Sequence, residues 1–155
     1  MAFTEKTLNE KEIFDGKIIR VHLDDVELSD GTKSFREVVE HSGGVCIAAL
    51  TEDDELLMVR QYRYPFHREL LEVPAGKLEK GEDPMEAALR ELSEETGITA
   101  GKIEPLGALY TTPALMDEII YMYILSILNQ AIQYKHPMSK DCCNKPTYCM
   151  CKNCF

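Results

Sequence analysis

From Glu69 to Ile98 a short apolar run, a charged loop and a strongly signalled helix follow one another, and this stretch constrains the chain more than any other. Glu69 to Val73 reads as a strand, Pro74-Ala75-Gly76 interrupts it, and a charged loop runs on to Asp83. Asp83 suits an N-cap, because its carboxylate can accept from the unpaired N–H groups of a first turn. Pro84 has no N–H to leave unpaired at the first helical position, and Glu86 completes a capping box. Ala87, Ala88, Leu89 and Leu92 give helix-forming and apolar positions, and Gly97 is placed to end the helix in a left-handed conformation.

Chemistry is concentrated on this element. The order is Gly76, a five-residue gap, Glu82, a seven-residue gap, then Arg90-Glu91-Leu92-Ser93-Glu94-Glu95-Thr96-Gly97-Ile98. On a helix Glu91 and Glu95 lie about 40° apart around the axis, with Glu94 beside them at i+3. Three like charges at these spacings repel, and a divalent cation reverses the sign. Mg²⁺ takes oxygen ligands, commonly one or two carboxylates together with phosphate and water, and can polarise a phosphoryl oxygen and activate water. Arg90 can hold a neighbouring carboxylate by a forked hydrogen bond. Three glutamates alone would be read as a solvated helix face. The full spacing pattern between a strand and a capped helix is what favours a metal site.

Elsewhere Lys17–Leu23 and Phe35–Glu40 alternate apolar and polar residues across the Ser29-Asp30-Gly31-Thr32 turn, which predicts an N-terminal hairpin. Val45–Leu50 and Leu56–Tyr62 flank the acidic turn Glu52–Glu55 and read as more deeply buried strands. Ile103–Tyr110 and Ile119–Leu125 read as further strands joined by a loop containing Pro113. There is no internal repeat.

A formal charge of −10 speaks against binding nucleic acid or anionic membrane, so an anionic substrate would need bound cations or a few placed arginines. No apolar run reaches the roughly eighteen residues of a membrane span and no secretory signal is visible, which predicts a cytoplasmic protein. Of six cysteines only Cys46 lies outside the last fourteen residues. Residues 1–124 hold 13 of the 17 Lys and Arg and 26 of the 27 Asp and Glu, net −13, whereas residues 125–155 carry four lysines, one aspartate and five cysteines. Three segments are expected: an N-terminal hairpin segment at 1–43, a catalytic core at 44–124, and an atypical Cys-rich tail at 125–155.

The Gly76-to-Ile98 string matches the Nudix box without a departure, and over about residues 12–124 the chain resembles the Nudix hydrolases. The resemblance implies an α/β/α sandwich around a mixed sheet with an N-terminal antiparallel hairpin. It implies hydrolysis of a nucleoside diphosphate linked to another group, with Mg²⁺, or Mn²⁺, as cofactor. Glu91, Glu94 and Glu95 would be metal ligands together with the Ala75 carbonyl. Arg90 and Glu82 would support them, while Gly76 and Gly97 shape the loop and the helix end.

Pro113 lies fifteen residues past Ile98, the spacing that marks the ADP-ribose pyrophosphatase branch. Arg36-Glu37-Val38-Val39-Glu40-His41, Val59-Arg60-Gln61-Tyr62-Arg63 and Leu71-Glu72-Val73-Pro74-Ala75-Gly76-Lys77 resemble its other signature stretches. That branch implies a homodimer paired through the N-terminal hairpin, diphosphate contacts from Arg36 and Arg60, Glu72 near the nucleotide, and a mobile Glu118 as general base. The pair after the proline is Ala114-Leu115, where the family has Gly and an aromatic residue. The resemblance implies hydrolysis of ADP-ribose to AMP and ribose 5-phosphate. The alternatives are another nucleotide sugar or dinucleotide as substrate, or a non-catalytic ADP-ribose-binding domain.

From Leu125 onward the chain does not align with the family's closing strand and helix. The abrupt fall in acidic residues at the same point favours a shifted coding frame over a zinc site formed by Cys142, Cys143, Cys149, Cys151 and Cys154, of which only Cys151 and Cys154 have the usual CxxC spacing. A missing strand and helix would expose apolar sheet surface and an unpaired edge.

Overall fold

The computed structural model describes residues 4–51, 55–100, 103–127 and 147–151, with the side chains of 127 and 147–151 left aside. The acidic residues Glu52–Asp54 and the cysteines Cys142, Cys143 and Cys154 lie outside the described residues. The chain divides into two units, residues 1–43 with 110–119 and residues 44–109 with 120–155.

The first unit is built on a three-stranded antiparallel sheet of β1 (Lys6–Asp15), β2 (Ile19–Glu27) and β3 (Lys33–His41), in that order. The β2–β3 hairpin closes where the turn residues predict. Asp30 accepts from the Thr32 N–H at 2.8 Å, and Gly31 adopts φ 83°, which costs a residue without Cβ nothing. The additional strand β1 was not expected from the sequence. Its ten residues are all exposed, so no alternation marks it, and its place comes from pairing with β2 between Lys6↔Glu27 and Asp15↔Arg20. Arg20 ties the three strands together through Glu10 and Glu12 on β1 and Glu40 on β3.

The second unit carries β4 (Gly44–Thr51), β5 (Leu56–Arg63), a 3₁₀ turn at Tyr64–Phe66, β6 (Arg68–Glu72), β7 (Ala75–Lys77), α1 (Pro84–Thr96), β8 (Glu104–Tyr110), β9 (Ile119–Ile127) and β10 (Thr147–Cys151). The sheet runs β10-β5-β4-β9-β8, with β6 on β5 and β7 on β4. It is mixed, because β4 and β9 are parallel from Gly44↔Ile120 to Thr51↔Ile127 while β5, β6, β7 and β10 pair antiparallel. The fold is therefore α/β with an N-terminal antiparallel sheet, as expected, with α1 the one helix among the described residues. Cys149 and Cys151 lie on β10, which pairs with β5 from Thr147↔Arg60 to Cys151↔Leu56.

The core gathers Val45, Ile47 and Ala49 of β4, Leu57 of β5, Ala87, Ala88 and Leu92 of α1, and Ile98 and Ile103 beyond it. Fully burying each large aliphatic chain is worth about 1.5–3 kcal/mol, and this clamps α1 to the sheet. All seven residues of β8 are exposed, Leu106, Leu109 and Tyr110 among them. No helix among the described residues is long and apolar enough to cross a membrane.

Candidate functional site

The capping chemistry sets where α1 begins and ends, and so where its carboxylates stand. Asp83 accepts from the N–H groups of Met85 at 2.9 Å and Glu86 at 3.1 Å, and Gly97, at φ 73°, donates its N–H to the Ser93 carbonyl at 2.9 Å. Ala87, Ala88, Leu92 and Thr96 form the buried face, and the remaining face carries Arg90, Glu91, Glu94 and Glu95.

Arg90 grips Glu82 with a two-pronged fork, Nε to Oε1 at 2.9 Å and Nη2 to Oε2 at 3.0 Å, and its Nη1 donates to Glu91 Oε1 at 2.7 Å. The fork holds the Glu82 carboxyl below its ordinary value, helped by the Glu79 N–H, and Glu82 in turn pins the loop that leads into α1. Glu91 is folded against β7. A Cβ on Gly76 would run into its carboxylate, which is the local reason for a glycine there, and a Cβ on Gly44 would come within 2.9 Å of the Gly76 carbonyl oxygen. Glu95, half-buried, accepts the Ala75 N–H at 3.1 Å. Desolvation pushes its carboxyl above the ordinary value, and the charges of Glu91 and Glu72 add to this, against the opposing Ala75 hydrogen bond and the Arg63 charge. Glu94 is the exposed member, 61% accessible, with Arg90 Nη1 at 3.6 Å.

The structure thus brings Gly76, Glu82, Arg90, Glu91, Glu94 and Glu95 together, as the sequence spacing predicts, and places Ala75, which only the resemblance implied, beside Glu95. Among the described residues the tightest group of possible metal-ligating side chains is Glu10, His22 and Asp24 in the first unit, and not these glutamates. Arg90 and the Ala75 N–H hold Glu91 and Glu95 instead.

Of the residues expected to contact substrate, Glu72 belongs to this neighbourhood and Arg60 is only loosely engaged. The Arg60 side chain is 48% exposed, with Glu69 at 3.7 Å. Sequence reasoning passed over Arg63, whose Nε donates to Glu72 Oε1 at 2.8 Å and whose Nη2 donates to Oε2, and whose charge is felt at Glu95. Strand parity was the available signal. Arg63 shares a strand face with the buried Leu57 and Val59, whereas Arg60 shares the other with exposed Tyr62.

Arg36 and Glu118 belong to the first unit. Arg36 on β3 is paired with Glu5 and donates to the Phe35 carbonyl at 2.7 Å. Glu118 is held by two side chains that sequence reasoning did not single out. Thr111 Oγ1 donates to Oε2 at 2.8 Å, and His41 Nδ1 lies 3.1 Å from Oε1.

Residues 40–138 match the NUDIX domain, and residues 5–39 match the nucleoside diphosphate sugar hydrolase N-terminal domain. The first match runs beyond residue 124, where the sequence reading ends the resemblance. The chain is 44% identical over 140 residues to an ADP-ribose pyrophosphatase of Bacillus subtilis (strain 168), spanning 90% of this chain and 75% of that one. It is 46% identical over 128 residues to a methanol dehydrogenase activator of Bacillus methanolicus, spanning 83% and 69%. A crystal structure of an ADP compounds hydrolase superposes with a TM-score of 0.76 at 22% identity, over 94% of this chain and 77% of the other, which is a likeness of fold.

Proposed function

The chain belongs to the NUDIX family, and we propose that it is a pyrophosphohydrolase that cleaves ADP-ribose, or a closely related nucleoside diphosphate sugar, to AMP and a sugar phosphate. The observation that carries this reading is the arrangement on α1, with Glu91 folded into the Gly76 loop, Glu95 on the Ala75 N–H, and Arg90 forked onto Glu82. A relative that is 44% identical bears the name ADP-ribose pyrophosphatase, which supports the substrate.

The donor set fits a hard divalent cation. Glu91, Glu94 and Glu95 with the Ala75 carbonyl offer oxygen only; the raised proton affinity of Glu95 comes first from burial, and the charges of Glu91 and Glu72 that add to it are ones a cation would neutralise. Mg²⁺ or Mn²⁺ held there would supply neutralisation of the phosphoryl oxygens and an activated water. Arg90 and Glu82 fix the direction of the ligands by keeping Glu91 and the preceding loop in place. Arg63, Arg36 and Arg60 are assigned to the diphosphate, for which guanidinium forks are suited, and Glu72 to the nucleotide side. Glu118 acts as general base, taking the proton of the water that adds to phosphorus as the bridging P–O bond breaks. A second copy of the chain pairs on the N-terminal sheet. Support comes from the wholly exposed β1, whose outer edge is unpaired, and from the exposed Leu8, Ile13, Phe14 and Phe35 of that unit, since an unshielded edge strand beside exposed apolar side chains favours association.

The test is incubation of the purified chain with ADP-ribose and Mg²⁺, with AMP as the expected product and the mass in solution measured alongside. Turnover of a different nucleotide without AMP formation from ADP-ribose would overturn the substrate. Calorimetric binding of ADP-ribose without turnover would point to a non-catalytic domain. Other nucleotide sugars and dinucleotides belong in the panel, because the helix reads the pyrophosphate and not its substituents, and because a relative of comparable identity bears the name of an activator.

A further inference from the structure

The loop from Thr111 to Glu118 is fastened to the end of β3 by its backbone. Val39 donates to the Leu115 carbonyl at 2.9 Å, and Asp117 donates back to the Val39 carbonyl at 3.2 Å. The His41 N–H donates to Asp117 Oδ1 at 2.7 Å. With the backbone fixed, the Glu118 side chain is the part free to change partners, and it is parked on Thr111 and His41, half-buried at 22% exposure.

The His41 ring has two claims on a single nitrogen. Nδ1 lies 3.1 Å from Glu118 Oε1, a contact that is attractive only with a proton on Nδ1. The same Nδ1 lies 3.1 Å from the Gly43 N–H, which can donate to it only when that proton is absent. Gly43 presents its N–H there through a left-handed backbone, φ 77°, which glycine adopts without penalty. The two partners require opposite states of one atom.

We propose that His41 is a proton-operated latch on Glu118. The imidazolium, with a proton on Nδ1, holds the carboxylate against Thr111, and the neutral ring with its hydrogen on Nε2 takes the Gly43 N–H and releases the carboxylate for use as a base. The inference rests on the reading of Glu118 as general base. The other charged groups around residue 41 are Arg20, Glu40, Asp117 and Lys17. From β2 Arg20 is bonded to Glu40 at 3.0 Å, Asp117 on the loop is bonded to the His41 N–H, and Lys17 lines the same shallow cavity with Arg20, Glu40, His41 and Asp117. Glu118 is the carboxylate that meets the Nδ1 proton. His41 is thus a positioning residue and touches no reacting atom.

The experiment compares the intact chain with H41A and E118Q, with Mg²⁺ present, across about pH 5 to 8, where imidazole titrates. ADP-ribose hydrolysis supplies kcat and KM, ¹⁵N spectra follow the His41 ring, and thermal melts confirm folding. The unaltered chain is expected to lose about tenfold in kcat per pH unit on the acid side, as a parked base is withdrawn, with KM within about twofold. H41A is expected to lack that step, and E118Q to lose about 100-fold or more in kcat at the alkaline end, where the base of the unaltered chain is released, with the deficit narrowing toward acid. An H41A profile superimposable on that of the unaltered chain overturns the latch. If H41A does not fold, the E118Q spectra decide, since a His41 midpoint unmoved by E118Q overturns the pairing. A moved midpoint together with undiminished kcat in E118Q upholds the pairing and overturns the general base, which separates the two failures.

Discussion

Gly76→Ala tests whether Glu91 is stored where the structure puts it. The three atoms nearest the added Cβ all belong to the flexible Glu91 side chain, so the direct steric cost is small and the expense lies in what Glu91 loses when it swings away. That loss is the Arg90 Nη1 hydrogen bond at 2.7 Å, with side chains 31% and 15% exposed. A hydrogen bond to a charged group contributes about 1.5–3 kcal/mol, and the partial exposure of Arg90 favours the lower end. Against it stands the smaller entropy of an unfolded chain with Ala in place of Gly, about 0.4–1 kcal/mol in favour of folding. The net expectation is a destabilisation of about 1 kcal/mol in the absence of metal. In a Glu91→Ala background no carboxylate is in the way, so the same change should stabilise by about 0.4–1 kcal/mol, giving a coupling of about 1.5–2 kcal/mol. Urea melts of the four proteins in EDTA measure it. A coupling near zero, or Gly76→Ala stabilising the unaltered background, would refute the packed position of Glu91.

Glu95→Gln should abolish nearly all turnover while leaving the fold intact, and unchanged kcat would remove Glu95 from the metal site. Because folding raises the carboxyl's proton affinity, the metal-free protein is expected to lose stability as pH rises above the ordinary value of 4.5; Gln should flatten that slope, which melts across pH would show. Leu92→Ala, at a position with no exposed surface in the core, should cost about 2–5 kcal/mol in a urea melt, and a cost under 1 kcal/mol would contradict the packing of α1 on the sheet.

The helix was legible in the sequence to the residue, because Asp83, Pro84 and Gly97 act on their own backbone neighbours and need no tertiary partner. Strands with an apolar face, such as β4 with Val45, Ile47 and Ala49, were legible for the same local reason. Strand β1 was not, since all its residues face solvent and only the partner strand fixes it. Pro74 hid β7 by marking a turn directly before Ala75 pairs with Cys46. Arg90, Glu91 and Glu95 could be grouped by helical spacing alone. Strand parity could place Arg63 on the inward face of β5 but could not pair it with Glu72 across the neighbouring strand, and the His41–Glu118 pair joins residues far apart in sequence, where periodicity carries no information.

One helix serves two masters here, with Leu92 and Thr96 sealed in the interior while their neighbours Glu91 and Glu95 stand on the face proposed to hold the metal. An α-helix advances about 100° per residue, so a single inserted or deleted codon within α1 would swing every downstream side chain by that angle, driving carboxylates toward oil and aliphatics toward water. The loops on either side of this element can therefore change length at little cost to it, but the thirteen residues between its caps cannot.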